Sequence, residues 1–179
     1  MLQLARLTRN ELRVDLQCVE IGELMDNLRP KIASLTDRAG FALDLDSRDC
    51  AGTGIRVDLD FFTQILINLA DNSVKFARDA ERKEVQIACR VRETGNVQVS
   101  VRDFGPGVPR DQMKKIFKLF YRSGNELTRE TVGTGIGLAL VRELTLSMGG
   151  QIDLIDAQPG AELRLTFPVE QAAAARVDR

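Results

Sequence analysis

Two pairs of short runs, each pair joined through a glycine turn, constrain the fold of this chain more than any other feature. In Glu84–Arg92, Val85, Ile87, Cys89 and Val91 take every second position, and Val97, Val99 and Val101 do the same beyond the turn Thr94-Gly95-Asn96. A period of two gathers these side chains on one face of a strand, and the Gly-containing turn folds the second run back as a hairpin. Gln151–Asp156 and Glu162–Phe167 form a second such pair around Gln158-Pro159-Gly160. A sheet with one apolar face needs a second layer to cover it.

Three runs of helical period supply that layer. Ile21–Ala39 places Leu24, Met25, Leu28, Ile32 and Leu35 on one side, although Pro30 is expected to bend or interrupt it. From about Asp60 to Arg78, Phe62, Ile65, Leu66, Leu69, Ser73 and Phe76 recur at three- and four-residue steps. The third helix has Ile136, Leu140, Val141, Leu144 and Met148 on its apolar face and ends at Gly149-Gly150. Phe41–Leu45 and Ile55–Leu59, separated by Ala51-Gly52-Thr53-Gly54, read as further strands. The expected fold class is α+β: a two-layer α/β sandwich with a mostly antiparallel mixed sheet, about three helices on one face, and a flexible lid. At 179 residues and 44% hydrophobic, the chain suits one core and therefore one domain.

Composition narrows the function. The 25 basic and 26 acidic residues nearly cancel, so no strong field favours nucleic acid or an anionic membrane. No apolar run approaches the roughly 20 residues of a membrane span, and the N-terminus lacks a signal-peptide pattern, so the expectation is a cytoplasmic protein with no membrane contact of its own. Cys18, Cys50 and Cys89 are odd in number and far apart, and are expected to be reduced, partly buried thiols. With no His anywhere, the chain has no imidazole for acid-base chemistry, metal ligation or phosphoryl acceptance.

The chemistry-bearing positions lie on the second helix and in two glycine loops. At 100° per residue, Gln64, Asn68, Asp71, Asn72 and Lys75 share a sector away from the apolar face. That sector is short of the Glu, Lys and Arg that usually solvate a helix, and amide oxygens are hard donors of the kind magnesium accepts beside phosphate oxygens. Taken alone, the segment reads equally well as an ordinary solvated helix. Asp103-Phe104-Gly105-Pro106-Gly107 ends a strand with a carboxylate able to accept from an exocyclic amine, although alone it reads as a capped Gly-Pro turn. Gly133-Thr134-Gly135-Ile136-Gly137-Leu138 opens the third helix, where free N–H groups and the positive dipole end favour phosphate. It is neither a Walker loop nor a dinucleotide fingerprint. Between Pro106 and Gly133 the pattern loosens, with Met113, Ile116, Phe117 and Phe120 followed by the polar stretch Ser123–Glu130, a candidate lid.

In this order the motifs closely resemble those of the catalytic ATP-binding domain, of Bergerat type, of bacterial two-component sensor histidine kinases. Asn68–Phe76 resembles the family's N box, Asp103–Gly107 its first glycine box, Phe117-Lys118-Leu119-Phe120-Tyr121-Arg122 its F box, and Gly133–Leu138 its second glycine box. The resemblance implies ATP and Mg2+ as ligands. Asn72 would ligate magnesium with Asn68 beside it, Lys75 would reach a phosphate oxygen, Phe76 would contact adenine and Asp103 would bond its amino group. Residues 108–132 would form the ATP lid, with Tyr121 and Arg122 near the nucleotide, and Gly133, Thr134, Gly135, Ile136, Gly137 and Leu138 would close the phosphate end.

The resemblance also implies a division of the chain: 1–19 as the end of a dimerisation helix and linker, 20–169 as the catalytic domain, and 170–179 as a tail. The hydrolysing relatives carry an acid at the first N-box position, whereas Asn68 is no base, so phosphoryl transfer is expected rather than hydrolysis. No catalytic side chain is assigned in the chain itself. The implied partners are a histidine-bearing dimerisation domain of the same kinase, absent here, and a response-regulator receiver domain. The full-length kinase would be a homodimer whose sensor part can lie in the inner membrane, and these 179 residues alone a monomer. Two other readings are compatible with the motifs: a serine kinase of the anti-sigma-factor type, and a nucleotide-sensing domain that only binds partners. Ala161 departs from the hydroxyl residue many relatives carry near that point.

Overall fold

A computed structural model describes residues 13–118 and 136–170. Its elements are β1 (Gln17–Glu20), α1 (Ile21–Arg38), β2 (Ala42–Asp46), a 3-10 turn (Arg48–Cys50), β3 (Gly54–Val57), α2 (Leu59–Phe76), β4 (Glu84–Arg92), β5 (Asn96–Arg102), α3 (Gly137–Ser147), β6 (Gln151–Asp156) and β7 (Ala161–Pro168). Five strands form one sheet in the order β2-β4-β5-β7-β6. Only the β2–β4 pair is parallel, with Leu43 opposite Val85 and Leu45 opposite Ile87, and the other three pairings are antiparallel. The fold is therefore the expected α+β sandwich with a mixed, mostly antiparallel sheet.

The period-two residues do what their spacing predicts, except Val91, which is exposed where β4 runs past the helix layer toward its hairpin turn. Val85, Ile87 and Cys89 of β4, Val97, Val99 and Val101 of β5, and Leu163, Leu165 and Phe167 of β7 are all buried beneath the helices. Alternate positions on the same strands, such as Gln86, Gln98, Ser100 and Arg164, stay partly solvated on the other face. From the helix layer, Phe62 meets Phe167 with ring centroids 5.9 Å apart, and both rings are fully buried. Truncating either to Ala removes about 3–5 kcal/mol of packing. A Cβ on Gly150 would fall 2.5 Å from the Phe167 ring, so this position must be bare for α3 to turn into β6.

Both long helices start on a carboxylate cap. Glu20 accepts from the N–H groups of Gly22 and Glu23 at 3.0 and 2.6 Å, and Asp58 accepts from Asp60 and Phe61, both at 3.0 Å. Each cap satisfies leading N–H groups that the helix cannot and suits the positive dipole end. Asp58 also receives the N–H of Asp15 on its second oxygen and donates its own N–H to Met148 Sδ at 3.2 Å. The start of α2 thus lies against the end of α3, and the two helices run antiparallel. Their other ends, the C-terminal turns of α2 and the first turn of α3, come together at the far side.

Several expectations need correction. Pro30 neither breaks nor ends α1, which runs unbroken from Ile21 to Arg38. The ring sits on the exposed side, and the missing N–H forfeits one bond, to the Asp26 carbonyl, without displacing the buried face. The run Ile55–Leu59 is strand only as Gly54–Val57, because Asp58 leaves it to cap α2. It pairs outside the main sheet with β1, a strand the sequence pattern did not announce. Cys50 and Cys89 are not reduced thiols: both are fully buried and joined in a disulfide with Cα atoms 6.0 Å apart, which ties the 3-10 turn to β4, while Cys18 is exposed. Among the described residues no helix is long and apolar enough to cross a membrane.

Candidate functional site

The polar sector of α2 meets the first turn of α3. A Cβ placed on Gly137 would lie 3.7 and 3.8 Å from Asn72 Nδ2 and Oδ1 and 3.9 Å from Asn68 Oδ1. Both carboxamides therefore flank a single backbone position, and the absent side chain there keeps the space between them open. Asn68 Nδ2 donates to the Gln64 carbonyl at 2.9 Å, which fixes the amide plane and leaves its oxygen toward α3. The N-cap of α3, Ile136, makes no side-chain cap bond, in contrast to α1 and α2. A helix start whose own N-cap side chain makes no bond, beside two amide oxygens, matches an anion with its cation.

Lys75 and Phe76 occupy the last turn of α2. Lys75 Nζ forms an ion pair with Asp71 Oδ2 one helical turn back, with both side chains about half exposed. Such an i,i+4 pair is worth only about 0.3–0.5 kcal/mol, so a phosphate can readily draw the ammonium away. Phe76 is 51% exposed, an aromatic face left open at the helix end.

Beneath that end lies the loop after β5. A Cβ on Gly105 would approach the Phe76 carbonyl oxygen to 2.9 Å and Ala77 Cα to 3.2 Å, so glycine is required for this contact. Asp103 is buried, and its Oδ1 accepts from the N–H groups of Gly105 at 2.9 Å and Ala161 at 3.3 Å. Its own N–H donates to the Ala161 carbonyl at 3.0 Å. Burial pushes the Asp103 carboxyl above its ordinary value, opposed by the two backbone N–H groups and the nearby Arg102 charge. A largely buried carboxylate with one oxygen held can receive a donor on the other at a fixed place.

The β6–β7 turn was legible only as a turn, yet it forms the wall behind Asp103. Gly160 has φ +91°, and a Cβ there would lie 1.9 Å from the Asp103 carbonyl oxygen. Gly107, at φ +75°, presses from the other side, its hypothetical Cβ 3.1 Å from the Gly160 oxygen. Gly160 and Ala161 thus hold Asp103, and the sole hint in the sequence was the Pro-Gly pair itself.

The structure brings together Asn68, Asn72, Ile136, Gly137 and Leu138 at the α2–α3 junction, and Phe76, Asp103, Gly105 and Gly107 around the end of α2. Of the F box, Phe117 packs against the core, and Lys118 lies beside it. Tyr121, Arg122, Gly133, Thr134 and Gly135, and most of the lid at 108–132, lie outside the described residues. Among the described residues no three His, Cys, Asp or Glu side chains cluster as a metal site. The donor set at the junction is two neutral amides, which fits magnesium only where phosphate oxygens and water complete the shell.

Residues 57–171 match the model of a protein family described as histidine kinase-, DNA gyrase B- and HSP90-like ATPases. The adaptive-response sensory kinase SasA of Trichormus variabilis is 34% identical over 175 residues, covering 94% of this chain and 41% of that protein. The sensor histidine kinase WalK of Bacillus subtilis is 28% identical over 175 residues, covering 96% of this chain and 28% of that one. Among solved structures, full-length ShkA in complex with AMPPNP superposes with a TM-score of 0.79 at 30% identity, over 97% of this chain and 35% of that chain. A mycobacterial sensor histidine kinase, MprB, shares the fold at a TM-score of 0.69 and 21% identity. The chain spans about two fifths or less of the length of these two kinase relatives.

Proposed function

Because the chain belongs to the family of histidine kinase-, DNA gyrase B- and HSP90-like ATPases, we propose that it is the ATP-binding catalytic part of a longer sensor kinase. It would transfer the γ-phosphoryl group of Mg-ATP to a histidine lying outside these 179 residues, which contain none. One observation carries this reading: two carboxamides of α2 flank Gly137 in the first turn of α3, while the other end of the same surface holds a buried carboxylate beside an open aromatic ring.

The residues divide the nucleotide between them. Asp103 accepts from the amino group of adenine, Phe76 lies against the base, and Lys75 leaves Asp71 for a phosphate oxygen. Asn72, with Asn68 beside it, would hold magnesium, which supplies positive charge against the phosphates. Asn68 cannot take a proton from water at neutral pH, and the sequence has no His to replace it. The chain's contribution is thus position and charge complementarity, not base catalysis, which suits transfer to an acceptor supplied by another segment.

The domain division proposed is 1–19 as the end of a dimerisation helix and linker, 20–169 catalytic and 170–179 tail, in a kinase that is a homodimer when complete, works in the cytoplasm and passes the phosphoryl group to a response-regulator receiver domain. The test is incubation of the chain with labelled ATP and a separately made histidine-bearing dimerisation domain. Acid-labile, base-stable label on that domain is the expected result. Acid-stable label on a serine of a partner would instead support the anti-sigma-factor kinase reading, and no transfer to any acceptor would remove the kinase reading.

A further inference from the structure

Building on the nucleotide reading above, we propose that Arg82, Phe104 and Arg102 form a positioning element that fixes the Asp103 carboxylate and thereby sets the preference for adenine over guanine. Phe104 is 7% exposed, and two guanidinium groups lie over its ring: Arg82 Cζ at 3.8 Å from the centroid and Arg102 Cζ at 4.7 Å. Both are within the range of cation–π attraction. Two like charges at one ring repel each other, so something must hold them there.

Each guanidinium is tied to a different segment. Arg82, on the connection between α2 and β4, donates through Nε and Nη2 to Glu84 at 2.9 and 3.0 Å. Arg102, the last residue of β5, donates through Nη2 to the Ala157 carbonyl in the β6–β7 turn at 3.2 Å. The Phe104 ring thus joins the connection leaving α2 to the turn behind Asp103. Arg102 Nε is buried without a hydrogen-bond partner, a local cost that ordinary packing avoids. A stack that accepts both like-charge repulsion and an unpaired N–H, at the two residues immediately flanking Asp103, needs a reason beyond stability.

The chemistry of the base supplies it. A carboxylate in this position accepts from the amino group of adenine, whereas guanine presents a carbonyl oxygen at the corresponding edge. Two acceptors then face each other without a proton between them, and a buried polar group left unpaired gives strong discrimination. This holds only if the carboxylate can neither rotate nor retreat. Oδ1 is pinned by Gly105 and Ala161, and the neighbouring stack restrains the backbone on both sides of Asp103. None of the three residues contacts the transferred group, so they are positioning residues.

The experiment compares ATP and GTP affinity, by calorimetric titration with magnesium, in the wild-type chain and in Phe104→Leu, Phe104→Tyr and Arg82→Gln, with a melting curve for each. Phe104→Leu and Arg82→Gln are expected to weaken ATP about 3- to 10-fold with GTP unchanged or tighter, so that the ratio narrows. Phe104→Tyr keeps the ring face and restores the ratio. A wild-type ratio in both Phe104→Leu and Arg82→Gln, even with lowered melting points, assigns the stack to stability alone and overturns the proposal. If the wild-type chain binds neither nucleotide, the nucleotide reading fails and this inference with it. If Phe104→Leu does not fold, the surface change Arg82→Gln decides the outcome.

Discussion

Replacing Asp103 by Asn separates the binding role of this carboxylate from its structural one. Oδ1 accepts both structural bonds, from Gly105 and Ala161. An Asn can keep both on its amide oxygen, and its Nδ2 then stands where Oδ2 stood. That atom donates, so the amino group of adenine meets another donor. Losing a hydrogen bond to a charged acceptor removes about 1.5–3 kcal/mol, or about 10- to 150-fold in ATP affinity. Stability moves the other way. Burial raises the folded-state pKa of Asp103 above the ordinary 3.8, so the folded chain holds this proton more tightly than the unfolded one. The stabilisation it contributes is complete below the unfolded pKa and is lost as pH rises through the folded pKa. At neutral pH the ionised group opposes folding, and Asp103→Asn should melt at or above wild type. Titration with ATP and GTP beside melting curves from pH 4 to 8 measures both effects. ATP affinity equal to wild type would refute the assignment of Asp103 to the base. A large fall in melting temperature would refute the claim that its two structural bonds need no charge.

Gly160→Ala combines a left-handed backbone with a Cβ 1.9 Å from the Asp103 carbonyl oxygen, and should cost about 2–5 kcal/mol in urea unfolding; a variant as stable as wild type contradicts this packing. Gly137→Ala meets only ordinary contacts at 3.7 to 3.9 Å and should leave the fold intact, gaining up to about 1 kcal/mol from helix propensity. Its methyl fills the space between Asn68 and Asn72, so nucleotide affinity should fall, and unchanged affinity would move the phosphates elsewhere. Reducing the Cys50–Cys89 disulfide, which closes a separation of 39 residues, should lower unfolding stability by up to about 4 kcal/mol. Identical denaturation curves with and without reductant would show that the two sulfurs are not bonded.

Local patterns carried most of the fold. The hairpins around Gly95 and Gly160 and the helices α2 and α3 were legible because alternation, helical period and glycine stops act within one element. What depends on distant parts of the chain was not. The four-residue β1, Gln17–Glu20, has no alternation of its own and is strand only because Gly54–Val57 lies beside it. The Cys50–Cys89 pair exists only once the 3-10 turn has been laid against β4. The interruption expected at Pro30 does not occur, because its ring lies on the exposed side of α1. At the site, Asn68, Asn72 and Gly137 could be grouped from the order of the motifs, and their roles from the family resemblance. The hold of Gly160 and Ala161 on Asp103 could not, since it spans more than fifty residues and the Pro-Gly pair announces a turn without saying what the turn packs against. The ion pair of Lys75 with Asp71 was implicit in their i,i+4 spacing.

We propose that the α2–α3 junction holds the magnesium and phosphates of ATP. The most direct measurement is calorimetric titration of a non-hydrolysable ATP analogue into the wild-type chain and Asn72→Ala, each with magnesium and with chelator, with circular dichroism confirming that both are folded. This assignment of the junction requires that the wild-type chain binds, that magnesium strengthens the binding, and that Asn72→Ala loses the magnesium-dependent part. An equal magnesium-dependent gain in both proteins, or no binding by the wild-type chain, would contradict it.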